Sequence, residues 1–226
     1  MARLYLFAEG QTEQTFASEV LTPHLALRGV FLQPPILIAH ARRGGRVHRG
    51  GGRSYAPMRD DILRFTKQER SRDVFFTTMI DLYAIHAQFP GLDEAERLRH
   101  LPRERVAHLE RAFLNDVNDP RFIPYIQLHE FEAYLFCDPN ALKLFYEDRD
   151  HDIVSLCEIS KSYDSPELIN DGQDTAPSKR IIQALPPYKG AKAVQGPQAA
   201  ELIGLDDIRS KCPHFHDWLS RLESLQ

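Results

Sequence analysis

The opening stretch constrains the fold most. Residues 3–8, Arg-Leu-Tyr-Leu-Phe-Ala, are rich in strand formers and run straight into Glu9-Gly10-Gln11-Thr12-Glu13. Beyond it, Phe16, Val20, Leu21, His24 and Leu25 recur at helical spacing. This pattern predicts a buried strand over 3–8, a tight turn, and a helix over 12–27 that Gly29 closes. Glu9 then stands at the end of the strand. Glu13, four residues on, leans back towards the same mouth.

The same grammar recurs. Residues 36–39 predict a short apolar strand and 58–72 an amphipathic helix. Residues 73–80, Asp-Val-Phe-Phe-Thr-Thr-Met-Ile, predict a central parallel strand ending at Asp81. A charged helical region over 93–117 is broken near Pro102. A further strand over 122–128, with Pro124 near its start, leads into His129-Glu130-Phe131-Glu132, which is expected to turn into a helix. Alternating strands and helices predict an α/β fold, a mostly parallel sheet flanked by helices, over residues 1–140. Residues 141–226 read as helices and loops, a helical C-terminal annex packed on that core. Within them Ser178 is expected to cap a short helix starting at Lys179-Arg180.

Charge is unevenly distributed. The formal net charge is −4, yet residues 1–72 hold 12 Lys and Arg against 6 Asp and Glu. A basic front joined to an acidic remainder predicts an anionic partner for the first part. Its centre is the stretch 42–53, where Arg42, Arg43, Arg46, Arg49 and Arg53 are interleaved with five glycines. It is expected to form a flexible loop able to track a phosphate chain. It is not a Walker loop, because Gly51 and Gly52 stand where Lys and Ser/Thr are required. The alternative is a solvated basic loop without a ligand.

Three strand ends deliver Glu9, Asp81 and Glu130 to one edge, with Glu13 and Glu132 close in sequence. Ligands of open parallel sheets gather at that edge. Carboxylates crowded together raise one another's pKa unless a cation intervenes, and an all-oxygen set suits Mg²⁺ or Mn²⁺. The plainer alternative is that each acid caps a helix or faces water. Pro177-Ser178-Lys179-Arg180 would place cations in the first turn of a helix, against its dipole, where a phosphate would favour them; Lys189 and Lys192 repeat the signal more weakly. Surface charge is the alternative.

Other chemistries fit poorly. His129-Glu130 lacks the second histidine of a zincin, since residue 133 is Ala, and no Gly-x-Ser-x-Gly elbow occurs. Cys212, His214 and His216 lack an evident fourth zinc ligand. His86 and His129 lie near the acids but read as structural. Three widely spaced cysteines, Cys137, Cys157 and Cys212, predict free thiols in a reducing cytoplasm. No apolar run reaches the roughly 18 residues of a membrane span, and no leader peptide is expected.

A strand ending in Glu-Gly-x-Thr-Glu, followed by a strand ending in Asp, resembles the Toprim fold of topoisomerases, bacterial primases and OLD-family nucleases. More closely, the chain resembles a bacterial Toprim-like family often encoded beside AAA-type ATPases in phage-defence operons. The stretches that carry this are Glu9-Gly10-x-Thr12-Glu13, Asp81-Leu-Tyr, Phe89-Pro-Gly91, His129-Glu-Phe-Glu-Ala133, Pro177-Ser-Lys-Arg180 and Gly204-Leu-x-x-Ile-Arg209. The resemblance implies metal binding by Glu9, Glu13 and Asp81. It also implies that Glu130 or Glu132 replaces the second acid of the Asp-x-Asp motif, whose place Tyr83 takes, and that Lys179 acts at the scissile phosphate. Arg42, Arg43, Arg46, Arg49, Arg53, Arg180 and Lys189 would hold nucleic acid. The function expected is metal-dependent cleavage of DNA or RNA, with an ATPase partner. The alternatives are a catalytically inactive nucleic-acid-binding subunit, favoured by Tyr83, and an enzyme acting on a small phosphate ester.

Overall fold

A computed structural model describes residues 1–43, 46–49, 55–85, 88–169, 172 and 174–226. Its centre is a pair of parallel strands, β1 (Ala2–Ala8) and β6 (Val74–Asp81), in register from Arg3 opposite Val74 to Ala8 opposite Met79. β2 (Val30–Leu32) and β3 (Ile36–Leu37) flank β1; β7 (Phe122–Ile123) and β8 (Ile126–Gln127) flank β6. Every pairing in this sheet is parallel, so the expected α/β architecture is present.

Both flanking strands are split at proline, which has no N–H for a ladder. Pro34 and Pro35 separate β2 from β3. Pro124 divides what the apolar pattern presents as one strand over 122–128. Thr78 repairs that break: the Tyr125 N–H donates to Thr78 Oγ1 at 2.9 Å, and the Thr78 hydroxyl donates to the Tyr125 carbonyl at 3.0 Å.

The central strands are buried on both faces, as parallel strands are. From β1, Leu4, Leu6 and Ala8 enter one apolar cluster and Phe7 the other. The first cluster is covered by α1 (Gln11–Phe16), a π-helical turn (Ala17–Leu21) and α2 (Thr22–Ala26). The π turn precedes Pro23, which has no N–H to return to an earlier carbonyl; Ala17 O accepts both the Thr22 N–H and, at 2.9 Å, the Thr22 hydroxyl. The second cluster is covered by α3 (Tyr55–Gln68), α4 (Leu92–Arg97) and α5 (Pro102–Val117), through Ile62, Val106, Leu109 and Phe113. Each such fully buried side chain contributes about 1.5–3 kcal/mol.

After β8 the chain is helical. Two 3₁₀ segments (Phe131–Cys137 and Pro139–Leu144) precede α6 (Asp150–Lys161), a 3₁₀ turn (Pro166–Leu168), α7 (Pro177–Ala184), α8 (Tyr188–Ile203), α9 (Leu205–Lys211) and α10 (Pro213–Glu223). Residues from β1 and α1 share one core cluster with Phe215, Trp218 and Leu222 of α10.

Residues 42, 43 and 46–49 differ from the expected loop: β4 (Ala39–Arg43) and β5 (Arg46–Arg49) pair antiparallel, with Arg43 opposite Arg46 and Arg42 opposite Val47, while residues 44, 45 and 50–53 of that stretch lie outside the described residues. Strand-compatible residues flank Gly44-Gly45, a hairpin dipeptide in sequence. Arg53 and His86 lie outside the described residues. Cys137, Cys157 and Cys212 are free thiols. Among the described residues no helix is long and apolar enough to cross a membrane.

Candidate functional site

The parallel register places the ends of β1, β6 and β8 side by side. The Glu9 N–H donates to Met79 O at 3.0 Å, extending the ladder one residue past β1. Asp81 ends β6 opposite Gln127 of β8, two residues before His129. Glu9 and Asp81 are half-buried; Glu13, Glu130 and Glu132 are buried, each at most 7% exposed.

Each acid is seated on a donor from another part of this corner. The Asp81 N–H donates to Glu9 Oε2 at 2.8 Å, and the Phe131 N–H donates to Asp81 Oδ1 at 3.0 Å. The Gly10 N–H donates to Glu13 Oε2 at 2.8 Å, a capping-box contact at the start of α1. The Ser178 N–H donates to Glu130 Oε2 at 2.8 Å and its hydroxyl to Oε1 at 3.1 Å. Lys192 Nζ lies 3.0 Å from Glu132 Oε1, with the Tyr188 hydroxyl at 3.5 Å. Gly196 leaves room for the Tyr188 hydroxyl of the same helix, from which a Cβ there would sit 3.0 Å away.

The electrostatics show that the five acids form one group. Burial raises Glu9 to about 7, with the charges of Glu130 and Glu132 adding to it and the Asp81 N–H opposing. Burial, then the charge of Glu9, raises Glu13 to about 8. Asp81 is pushed well above the ordinary carboxylate range by burial and then by Glu9, Glu13, Glu132 and Glu130. Glu132 is raised by burial against the opposing pull of Lys192. Burial lowers Lys192, but Glu132, Glu130 and Asp81 outweigh it and the ammonium stays above its usual value. Glu9 and Glu13 therefore hold protons near neutrality, and Asp81 and Glu132 are shifted in the same direction.

Among the described residues no three His, Cys, Asp or Glu side chains stand in a ready-made metal-holding arrangement. The carboxylates are neighbours through their fields, each turned to its own donor. The donor set is entirely carboxylate oxygen, which fits Mg²⁺ or Mn²⁺ in chemistry.

Two sequence expectations change at α7. The helix begins at Pro177, with Ala176 as its N-cap, so Ser178 lies in the first turn and does not cap it. The anion at this N-terminus is Glu130 itself. Lys179 and Lys189 are exposed. Arg180 is engaged within the fold, donating to Thr175 O at 2.7 Å and to the Tyr163 hydroxyl at 3.1 Å. Tyr83 is 44% exposed, and its N–H donates to His129 O at 3.1 Å. Two contributors carried little sequence signal. Ser178 reads as a cap until its partner Glu130 is known, and Lys192 reads as one more surface cation until α8 is docked.

No curated protein matches the chain. A solved structure, the C-terminal region of the Burkholderia pseudomallei OLD protein, is similar at 13% identity with a TM-score of 0.43, over 99% of this chain and 100% of that one. A family described as "Domain of unknown function (DUF4276)" matches residues 8–223, and the chain belongs to that family.

Proposed function

We propose that this chain is a divalent-metal-dependent phosphodiesterase acting on nucleic acid. The observation that carries the reading is the group of five mutually repelling carboxylates around the ends of β1 and β6, with one half-buried ammonium, Lys192, against it. Folding such a group together is unfavourable without a ligand that rewards it. Glu9, Glu13, Asp81, Glu130 and Glu132 would hold the cation, which when bound supplies a Lewis acid at the phosphate and lowers the pKa of water. Glu9 and Glu13, with pKa values raised to about 7 and 8 in the metal-free chain, would release protons as the cation binds. Lys192 supports the negative charge that develops on phosphate; Lys179, exposed at the start of α7, is the second candidate for that role.

The arginine-bearing strands β4 and β5 supply the polymer-binding element. β3 pairs with the last residues of β1, and the Ile38 N–H donates to Ala8 O at 3.0 Å, so the hairpin leaves the sheet beside Glu9. Residues 34–59 contain no acid. Such a segment favours a polyanion over a small phosphate ester. An ATPase subunit is the partner proposed.

The second reading is a nucleic-acid-binding subunit without catalysis. Tyr83, where a further acid would complete an Asp-x-Asp pair, favours it. Incubation of plasmid and tRNA with Mg²⁺ or Mn²⁺, beside Glu9→Ala, separates the two. The enzyme reading expects cleavage that needs the cation and vanishes in the variant; binding without cleavage by the wild type selects the second reading.

A further inference from the structure

Glu130 enters the acid cluster on a strained backbone. His129 has φ +65°, and the Glu130 N–H donates to the Leu128 carbonyl at 3.1 Å. A hydrogen bond closed around a single residue at positive φ is a γ-turn of the rare, strained hand. Glycine accepts this conformation freely, whereas a residue with a Cβ does not. Histidine nevertheless occupies it, buried at 4% exposure.

The surroundings hold the turn from both sides. The His129 carbonyl accepts the Tyr83 N–H at 3.1 Å, which clamps the turn to the segment after β6. The next residue but one, Phe131, donates its N–H to Asp81. Between these two anchors the chain direction is fixed, and Glu130 is delivered to the N–H and hydroxyl of Ser178. Strain of this kind persists only where the structure around it over-determines the conformation, and it collects at functional sites.

We infer that His129 is a positioning residue: its strained turn aims the Glu130 carboxylate at the first turn of α7 and into the acid cluster, and fold stability is lower for it. Only the use to which Glu130 is then put rests on the function proposed above.

The test compares His129→Gly with His129→Ala, because both lose the imidazole and only glycine relaxes the turn. At an ordinary position glycine is the less stable of the two. Here the glycine variant is expected to melt higher than the alanine variant by about 2 °C or more. Glycine makes the same turn without strain, so in that variant the Ser178 amide, followed by NMR hydrogen exchange, is expected to stay as protected as in the wild type. In His129→Pro, whose φ cannot turn positive, it is expected to exchange roughly tenfold faster as Glu130 loses its approach. Mn²⁺ affinity by calorimetry is expected to be about fivefold weaker in the proline variant and unchanged in the glycine variant. A glycine variant that melts below the alanine variant overturns the inference, as does a folded proline variant that keeps Ser178 equally protected. Wild-type protein that binds no Mn²⁺ sinks the metal reading instead, and the melting and exchange measurements still decide the role of His129.

Discussion

The backbone N–H of Asp81 donates to Oε2 of Glu9 at 2.8 Å. Asp81 in turn accepts the Phe131 N–H, and Glu130, beside Phe131 in the chain, accepts from Ser178. The acids are thus fold connectors as well as candidate ligands, and they join β1 to β6, to the 3₁₀ segment and to α7. The two roles separate by choice of substitution. Glu9→Gln retains an oxygen for the Asp81 N–H, whereas Glu9→Ala leaves that donor unmatched at a cost of about 1–3 kcal/mol. Chemical denaturation is expected to rank Gln above Ala by that amount. Both substitutions are expected to lower metal-dependent cleavage by roughly 100-fold or more. Equal stability of the two would show that the hydrogen bond contributes nothing.

Stability without added cation is expected to fall as pH rises. Glu9 and Glu13 stand at about 7 and 8 in the folded chain against an ordinary value of 4.5. Between those values the native state keeps protons that the unfolded chain has released, so each unit of pH disfavours folding. Stability is therefore highest towards pH 4.5 and declines as pH rises through about 7 and 8, with Asp81 and Glu132 shifted in the same direction. His214 adds to the same slope: burial lowers its pKa, the Glu110 contact and charge outweigh this, and the imidazolium's contribution is lost as pH rises through a value above 6.5. Urea titrations at pH 5, 6.5 and 8 read the slope. Glu13→Gln is expected to flatten it, and so is millimolar Mg²⁺. A slope unchanged by both would separate pH dependence from the acid cluster.

Lys192 and Lys179 make opposite predictions. Lys192 holds the buried Glu132 carboxylate and is itself about a third exposed, so Lys192→Met strands a carboxylate and is expected to destabilise by about 1–3 kcal/mol, less than a fully buried pair would lose. Lys179→Met changes an exposed side chain and is expected to stay within about 0.5 kcal/mol of wild type. Steady-state cleavage by the two folded variants then locates the cation at the phosphate. Loss of kcat in Lys192→Met with Lys179→Met active is the expected result, and the reverse pattern would return that role to Lys179.

The sheet and the acid corner were legible because they depend on local pattern. An apolar run ending in Glu9 or Asp81 is a strand end at any fold level, and parallel pairing then brings such ends together. What sequence left hidden was long-range or conformational. Glu130 and Ser178 are 48 residues apart and meet only after α7 is docked. The positive φ of His129 was not legible, since histidine is enriched at positive φ but still adopts it only rarely. The split of 122–128 into β7 and β8 was signalled by Pro124, but its repair by Thr78 was not, because a threonine in a central strand ordinarily reads as β-propensity. At 42, 43 and 46–49 the neighbouring glycines suggest a loop, and the pairing of β4 with β5 outweighs it.

The outer edge of the sheet carries the last prediction. β8 lies at that edge among the described strands, and Ile126 has both of its backbone groups taken by side chains. Its N–H donates to Glu110 Oε1 at 2.9 Å, its carbonyl lies 3.1 Å from His214 Nε2, and that same nitrogen lies 3.1 Å from Glu110 Oε1. The His214 ring is stacked on Tyr125, which is stacked on Trp218, so α10 fixes the imidazole in place. Glu110 and His214 together substitute for a neighbouring strand, and Pro124 offers no N–H beside them. Unpaired edges recruit other edges. Glu110→Ala combined with His214→Ala is expected to free the N–H and carbonyl of Ile126, to destabilise the chain by about 1–3 kcal/mol, and to add concentration-dependent self-association in sedimentation velocity that the wild type does not show. A double variant that loses stability yet sediments like wild type at every concentration would mean that Pro124 and the split of the strand already close this edge without the Glu110–His214 pair.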